Sequence, residues 1–163
     1  MTRLTAAALA IREGRWRELR DVAEAQLALL NAQTRRRVLP PGKFVDFGHS
    51  EIAPNVSAED KAVSLRLARA IDRASRFGVF HPLCLARAVA LSSMLDSHGI
   101  DGHRIRIGVR NRDGVFSAHA WVELAGEVIG DYSTAIEAYV PLTEVRVSRN
   151  RSLSSLWQSR SSQ

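Results

Sequence analysis

The chain has 163 residues, 45% of them apolar and 25% charged, with one cysteine and a formal net charge of +6. That length supports a hydrophobic core without metal or disulfide staples, and a single cysteine excludes an internal disulfide and fits a reducing cytoplasm. No uncharged run is long enough to span a bilayer, and Arg12, Glu13 and Arg15 break the N-terminal apolar stretch too early for a signal peptide.

Thr5 to Arg37 reads as one or two amphipathic helices. Leu4, Ala8, Ile11, Leu19, Val22, Ala23, Leu27 and Leu30 recur at three- and four-residue steps and are expected inward, with Gly14 a point of interruption. Leu39 to Val56 carries three prolines and two glycines and reads as a loop. Ser57 then caps a helix with Glu59 and Asp60 in its first turn, running to about Arg76 with Val63, Leu67, Ala70, Ile71 and Ala74 inward. Pro82 suits the first position of the next helix, where its missing N–H has no partner to lose, and Gly99 suits the left-handed stop.

Beyond Gly99 the period changes to two. Ile105, Ile107 and Val109 alternate with Arg104 and Arg106, a strand with one buried face. The turn at Asn111 to Gly114 returns the chain as a strand from Val115 to Glu123, and Leu124-Ala125-Gly126 turns it again into a third from Glu127 to Tyr132. Thr134 to Leu142 fits a short helix or an edge strand closed by Pro141. The Ser/Arg-rich end, which includes Trp157, reads as a disordered tail. Helices first and an antiparallel meander afterwards define an α+β fold. The expected organisation is a helical region and loop over 1–56, a core over 57–145 and a basic tail over 146–163.

The chemistry centres on "FHPLCLARAVALSSMLDSHGI", which holds Cys84 three residues after His81. At a helix start the macrodipole and unpaired backbone N–H groups favour a thiolate. A nucleophilic thiol also needs a base and a group that orients the base. His81, His98, His103 and His119 are candidates, with His49 the least constrained.

The second hairpin discriminates among them. A three-residue loop at Leu124-Ala125-Gly126 puts Glu123 opposite Glu127, Trp121 opposite Ile129 and His119 opposite Asp131. Directly opposite residues have Cβ atoms roughly 4.5–5.5 Å apart, so Asp131 can hold one ring nitrogen while the other faces the thiol. A two-residue loop at Ala125-Gly126 would oppose His119 with Tyr132 instead, and Glu123 or Glu127 could then take the place of Asp131; Asp113 is a remoter alternative. Trp121 shares a face with His119 and either lines the cleft or packs in the core. Arg87, three residues after Cys84, either steadies the thiolate or pairs with an acid.

The set C-L-x-R-A, H-G-I, I-G-V-R, A-H-A-W-V-E and then D with Y-x-P-L, between Phe77 and Leu142, resembles the transglutaminase-like cysteine-protease superfamily. Within it, the segment is similar to the lasso-peptide leader peptidases. The resemblance implies a papain/transglutaminase-like fold, a catalytic helix packed on an antiparallel sheet, and a catalytic triad at Cys84, His119 and Asp131. It also implies cleavage of the leader from a ribosomally made precursor peptide, followed by ring closure by a separate ATP-dependent macrolactam cyclase. The family occurs in fused and split forms. Because 1–56 reads as helices and a loop, leader recognition is expected from a separate small leader-binding protein. Papain-like enzymes carry a glutamine upstream of the cysteine; none lies between Arg73 and Leu83, so the second oxyanion donor is unassigned.

Neither a cofactor nor a metal is expected, since HExxH and paired Cys/His spacings are absent. The competing readings are another acyl transfer on the same triad, such as amide cross-linking, and a non-catalytic peptide-binding module. A third is a nucleic-acid binder using Arg35 to Arg37 and the tail, but arginine-rich composition also follows from a GC-rich genome, and no nucleic-acid partner is expected.

Overall fold

Hydrophobic periodicity of 3.6 residues gives way to a period of two after Gly99, and the architecture follows that switch. In a computed structural model of the chain, described for residues 3–38, 56–78, 82–131 and 136–145, three helices precede four strands. The helices are α1 (Arg3–Val38), α2 (Ala58–Phe77) and α3 (Cys84–Ser97). The strands are β1 (His103–Arg112), β2 (Val115–Leu124), β3 (Glu127–Ile129) and β4 (Val140–Val145), in one antiparallel sheet of order β3-β2-β1-β4. The fold is thus α+β, with helices on one face of an antiparallel sheet. The Leu39–Val56 loop falls almost wholly outside the described residues, as do His49, His81 and the tail with Trp157.

The first helix is a single 36-residue element and Gly14 does not interrupt it. Its inward face differs from the leucine stripe that periodicity selects. Ala25, Leu29 and Ala32 are buried together with Asp21, whereas Leu19 is 60%, Leu27 69% and Leu30 52% exposed. Leucines carry more apolar area, but the alanine line lets α1 approach α2 and α3 closely, and polar ties fix that face. Asp21 pairs with Arg66 of α2 at 2.8 Å, Glu18 with Arg73, and Gln26 donates to the Ala74 carbonyl at 2.8 Å. Glu24 meets His98 at the far end of α3 at 3.2 Å. Among the described residues, no helix is long and apolar enough to cross a membrane.

Ser57 caps α2, accepting from the Asp60 N–H at 3.0 Å, and Leu67, Ala70, Ile71 and Ala74 are buried as their spacing requires. The third helix starts later than Pro82. Leu83 is its cap with extended backbone (ψ 158°), the Arg87 N–H donates to the Leu83 carbonyl at 3.1 Å, and Cys84 is the first helical residue. Pro82 therefore stands one residue before the cap, and the cysteine sits nearer the positive pole than the sequence suggests. The helix ends at Ser97, with His98 as its C-cap and Gly99 left-handed at φ +71°.

A two-residue turn at Asp113-Gly114, with both φ values positive (55° and 82°), joins β1 to β2 and fixes Gly108 opposite His119. Ile105, Val122, Leu124 and Ile129 face the helices and complete the core with Val89, Leu91, Met94 and Leu95 of α3. The last strand, β4, pairs with the other edge of β1 and carries Pro141 opposite Gly108, where the register shifts, a position at which an edge strand tolerates a missing N–H.

The second hairpin corrects the three-residue loop. Ala125 (φ 51°) and Gly126 (φ 85°) form a two-residue turn, so Leu124 faces Glu127, Glu123 faces Val128 and Val122 faces Ile129. Two consecutive left-handed residues match the twist of the flanking strands, and this avoids the Glu123–Glu127 apposition. β3 also stops at Ile129 rather than reaching Tyr132, because Gly130 turns left-handed (φ +76°). A Cβ on Gly130 would stand 3.1 Å from Ala68 Cβ and 3.3 Å from Leu91 Cδ2. Gly130→Ala should lower stability by about 1–3 kcal/mol, from left-handed strain plus crowding against α2 and α3. Urea unfolding monitored by tryptophan fluorescence measures this.

Candidate active site

Three elements bring one side chain each to the same place. Cys84 opens α3, His119 projects from the middle of β2, and Asp131 follows the Gly130 bend. In the observed register a straight β3 would carry Tyr132, not Asp131, opposite His119. The left-handed Gly130 releases the chain from the ladder, and Asp131 Oδ2 comes to 2.6 Å from His119 Nε2. Both side chains keep 25% of their surface exposed. With Nε2 held by the carboxylate, Nδ1 is the ring nitrogen left for the thiol.

The electrostatics fit an imidazolium–thiolate pair. Hydrogen bonding with the His119 ring pulls the Cys84 thiol below its ordinary ionisation range; burial opposes this, and the backbone N–H groups of Ala120 and Leu85 reinforce it. The same bond with Cys84 raises His119 against the effect of burial, with further help from the Asp131 carboxylate. Cys84 is half-buried and lines a groove with Arg87 and Leu91 of α3, Ile71 of α2, and Trp121.

The other candidates are placed elsewhere. His98 pairs with Glu24. His103 is wedged between the Ile100 carbonyl (2.9 Å) and Ser92 Oγ (3.0 Å). Arg87 reaches Asp72 of α2 at 3.4 Å, the acid-pairing alternative. Glu127 pairs with Lys61 at 2.5 Å, and Asp113 occupies the first turn, its side chain 93% exposed.

Glu123 has a role that the sequence reading missed. It lies on the His119 face of β2, where Arg104 (2.8 and 2.9 Å) and Arg106 (3.2 Å) of β1 bond its Oε2 and Trp121 Nε1 donates to its Oε1 at 3.1 Å. Trp121, only 3% exposed, stacks beside His119 with ring centroids 6.3 Å apart and an interplanar angle of 18°. Tyr139 also flanks the imidazole, ring centroids 5.4 Å apart, and Arg110 lies over the Tyr139 ring at 4.9 Å. Gly108 makes this packing possible, since a Cβ there would come within 2.8 Å of Trp121 Cη2 and 3.0 Å of Tyr139 Cβ. The signal was present in the sequence. Once the Asp113-Gly114 turn sets the register, Arg104, Arg106 and Gly108 must share a face with Glu123, Trp121 and His119.

Residues 2–144 match the sequence profile of the Transglutaminase-like superfamily, and the chain belongs to that superfamily. A stretch of 53 residues is 43% identical to the microcin J25-processing protein McjB of Escherichia coli. That stretch covers 32% of this chain and 24% of McjB, so the chain aligns with about a quarter of that relative's length. No solved structure matches the chain significantly.

Two outcomes follow from this geometry. The rate of Cys84 alkylation by iodoacetamide should reach half its plateau below the pH of about 8.5 at which a free thiol ionises. His119→Ala should move that midpoint upward, because the largest cause of the lowered thiol is removed. At Glu123, burial pushes the carboxyl up, but bonds from Arg104, Trp121 and Arg106 outweigh it and hold it below the ordinary range. A depressed carboxyl stabilises the fold above its unfolded ionisation point, roughly pH 4.3, and that contribution is lost as pH falls through the lower folded value. Glu123→Gln should cost about 2–4 kcal/mol at pH 7, by weakening a mostly buried charge cluster. The deficit should shrink in urea titrations at progressively lower pH.

Proposed function

We propose that this chain is a cysteine peptidase that removes the leader from a ribosomally made lasso-peptide precursor. The observation that carries the reading is the convergence of Cys84, His119 and Asp131 at a helix start and an open groove. Superfamily membership and the short match to a microcin-processing protein support the choice of substrate. In this reading Cys84 is the nucleophile, His119 the proton carrier and Asp131 the group that orients and charges the imidazole.

The thiolate attacks the scissile carbonyl carbon, and the carbonyl π electrons move onto oxygen. Backbone N–H groups of the first turn of α3, which have no carbonyl partner within the helix, are the natural donors to that oxyanion, beginning with the N–H of Cys84. His119 Nδ1 then delivers its proton to the departing amine as the C–N bond breaks, leaving a thioester. Water, deprotonated by the now neutral imidazole, attacks the thioester, and the Cys84 thiolate leaves as the carboxylic acid forms. Asp131 stabilises the imidazolium whenever it is present. The proposal includes a separate leader-binding protein that presents the leader and an ATP-dependent cyclase that acts on the released core in the cytoplasm.

The test combines the chain with a lasso precursor and its leader-binding protein and follows peptide mass. Wild type should release the leader, whereas Cys84→Ala and His119→Ala should lose at least about a thousandfold in rate. Asp131→Asn should retain partial activity, and its high-pH limb should shift to lower pH because the imidazolium loses its carboxylate. A precursor that stays intact with wild type under all conditions overturns the peptidase reading. A product joined to an added amine would make the chain an acyl transferase instead.

A further inference from the structure

β2 is ten residues long and β3 only three, so most of one edge of β2 has no partner strand among the described residues. The residues flanking a two-residue turn exchange both of their backbone hydrogen bonds, and the bonding then alternates along the strand. Arg112 and Val115 flank the first turn, so odd-numbered residues of β2 direct N–H and C=O toward β1. Leu124 and Glu127 flank the second, so even-numbered residues point toward the β3 side. Past Val122, the even positions are Ala120, Ala118 and Phe116. Ala120 lines the same groove as Cys84, and among the described residues no backbone group pairs with Ala118 or Phe116 on that side.

We infer that this open edge of β2, from Ala120 back to Phe116, is the seat of the substrate backbone, which adds to the sheet as an extended strand. The inference rests on Cys84 being the nucleophile, and it specifies how the peptide lies. Its occupant follows from continuity with the site. Cys84 and Ala120 line one groove, so a carbonyl bonded to that sulfur lies beside the edge, and the chain attached to it runs past Ala118 and Phe116. Four residues of strand span about 13 Å, room for a tetrapeptide. Ala118 presents only a methyl group, and Phe116, 75% exposed, and Val115, 69% exposed, offer apolar contact at the far end. Natural sheets blunt free edges with lysine, proline or inward charge. Phe116-Ser117-Ala118-His119-Ala120 has neither lysine nor proline, and its one ionisable ring is engaged by Asp131, which suits an edge that is kept for pairing.

The experiment uses tetra-alanine chloromethyl ketone, which places a short peptide on Cys84 by thioether formation with loss of chloride. Hydrogen exchange of the labelled wild-type protein should then slow at the Ala118 and Phe116 amides and stay unchanged at the Ser117 amide, which already donates to β1. Two further ketones, N-methylated at the second or at the third residue from the ketone, should differ about tenfold in alkylation rate, because only one of the two amides faces the edge and one or two hydrogen bonds are at stake. Efficient alkylation with unchanged Ala118 and Phe116 exchange, or equal rates for the two methylated ketones, would overturn the edge assignment alone. Failure of every ketone to modify Cys84, while iodoacetamide does so, would remove the peptide-attacking role of Cys84 and the inference with it.

Discussion

The contact between His119 Nε2 and Asp131 Oδ2, at 2.6 Å, is the constraint on which the site depends. An imidazole held by a carboxylate on one nitrogen has its tautomer and ring plane fixed, and the second nitrogen is committed to whatever lies opposite, here the thiol. Removing the carboxylate costs more than a hydrogen bond. The positive ring is what stabilises a thiolate beside it, and the thiolate in turn holds the ring positive, so the two groups titrate as a pair. The helix start adds to this from the other side by presenting unpaired N–H groups to the sulfur.

Such a contact needs a backbone that can deliver it, and the strand ladder by itself cannot. In the observed register Ala120, whose side chain points to the core, is aligned with Asp131, and a continuing β3 would have turned the carboxylate inward with it. Gly130 supplies the exception. Its left-handed φ ends the strand, and its missing side chain lets the bend settle against Ala68 and Leu91. The same bend ends the ladder at Ile129, so that among the described residues no strand pairs with β2 beyond Val122 on that side. One glycine therefore sets the end of the ladder and the place of the carboxylate together.

Much of this was legible in the chain. Helix and strand periodicities gave the α+β order, Ser57 its cap, and the cysteine's position near a helix start followed from Pro82 and the apolar run beyond it. The meeting of His119 with Asp131 was reached by a wrong route. A three-residue loop aligns the two directly, whereas Ala125 adopts a left-handed conformation that a non-glycine residue seldom takes. Compensation at Gly130 then restored the pair, a tertiary effect with no local signature. The buried face of α1 departs from its leucine periodicity for a related reason. Hydropathy ranks leucine above alanine, while close helix packing together with the Asp21–Arg66 and Gln26–Ala74 ties favoured the smaller residues.

The period of two in β2 divides its labour. Side chains of Ala120, Val122 and Leu124 go to the core, while His119, Trp121 and Glu123 stand on the opposite face as a tier in which each supports the next. The arginines of β1 anchor Glu123, Glu123 fixes the indole, and the indole flanks the imidazole. Backbone groups are divided by the same parity, odd residues to β1 and even residues to the β3 side. A register slip of one residue would exchange both sets at once, burying the imidazole and turning the free edge the wrong way. The Asp113-Gly114 turn that fixes this register lies far along the strand from the thiol. It therefore governs reactivity as much as stability, through the parity of a single strand.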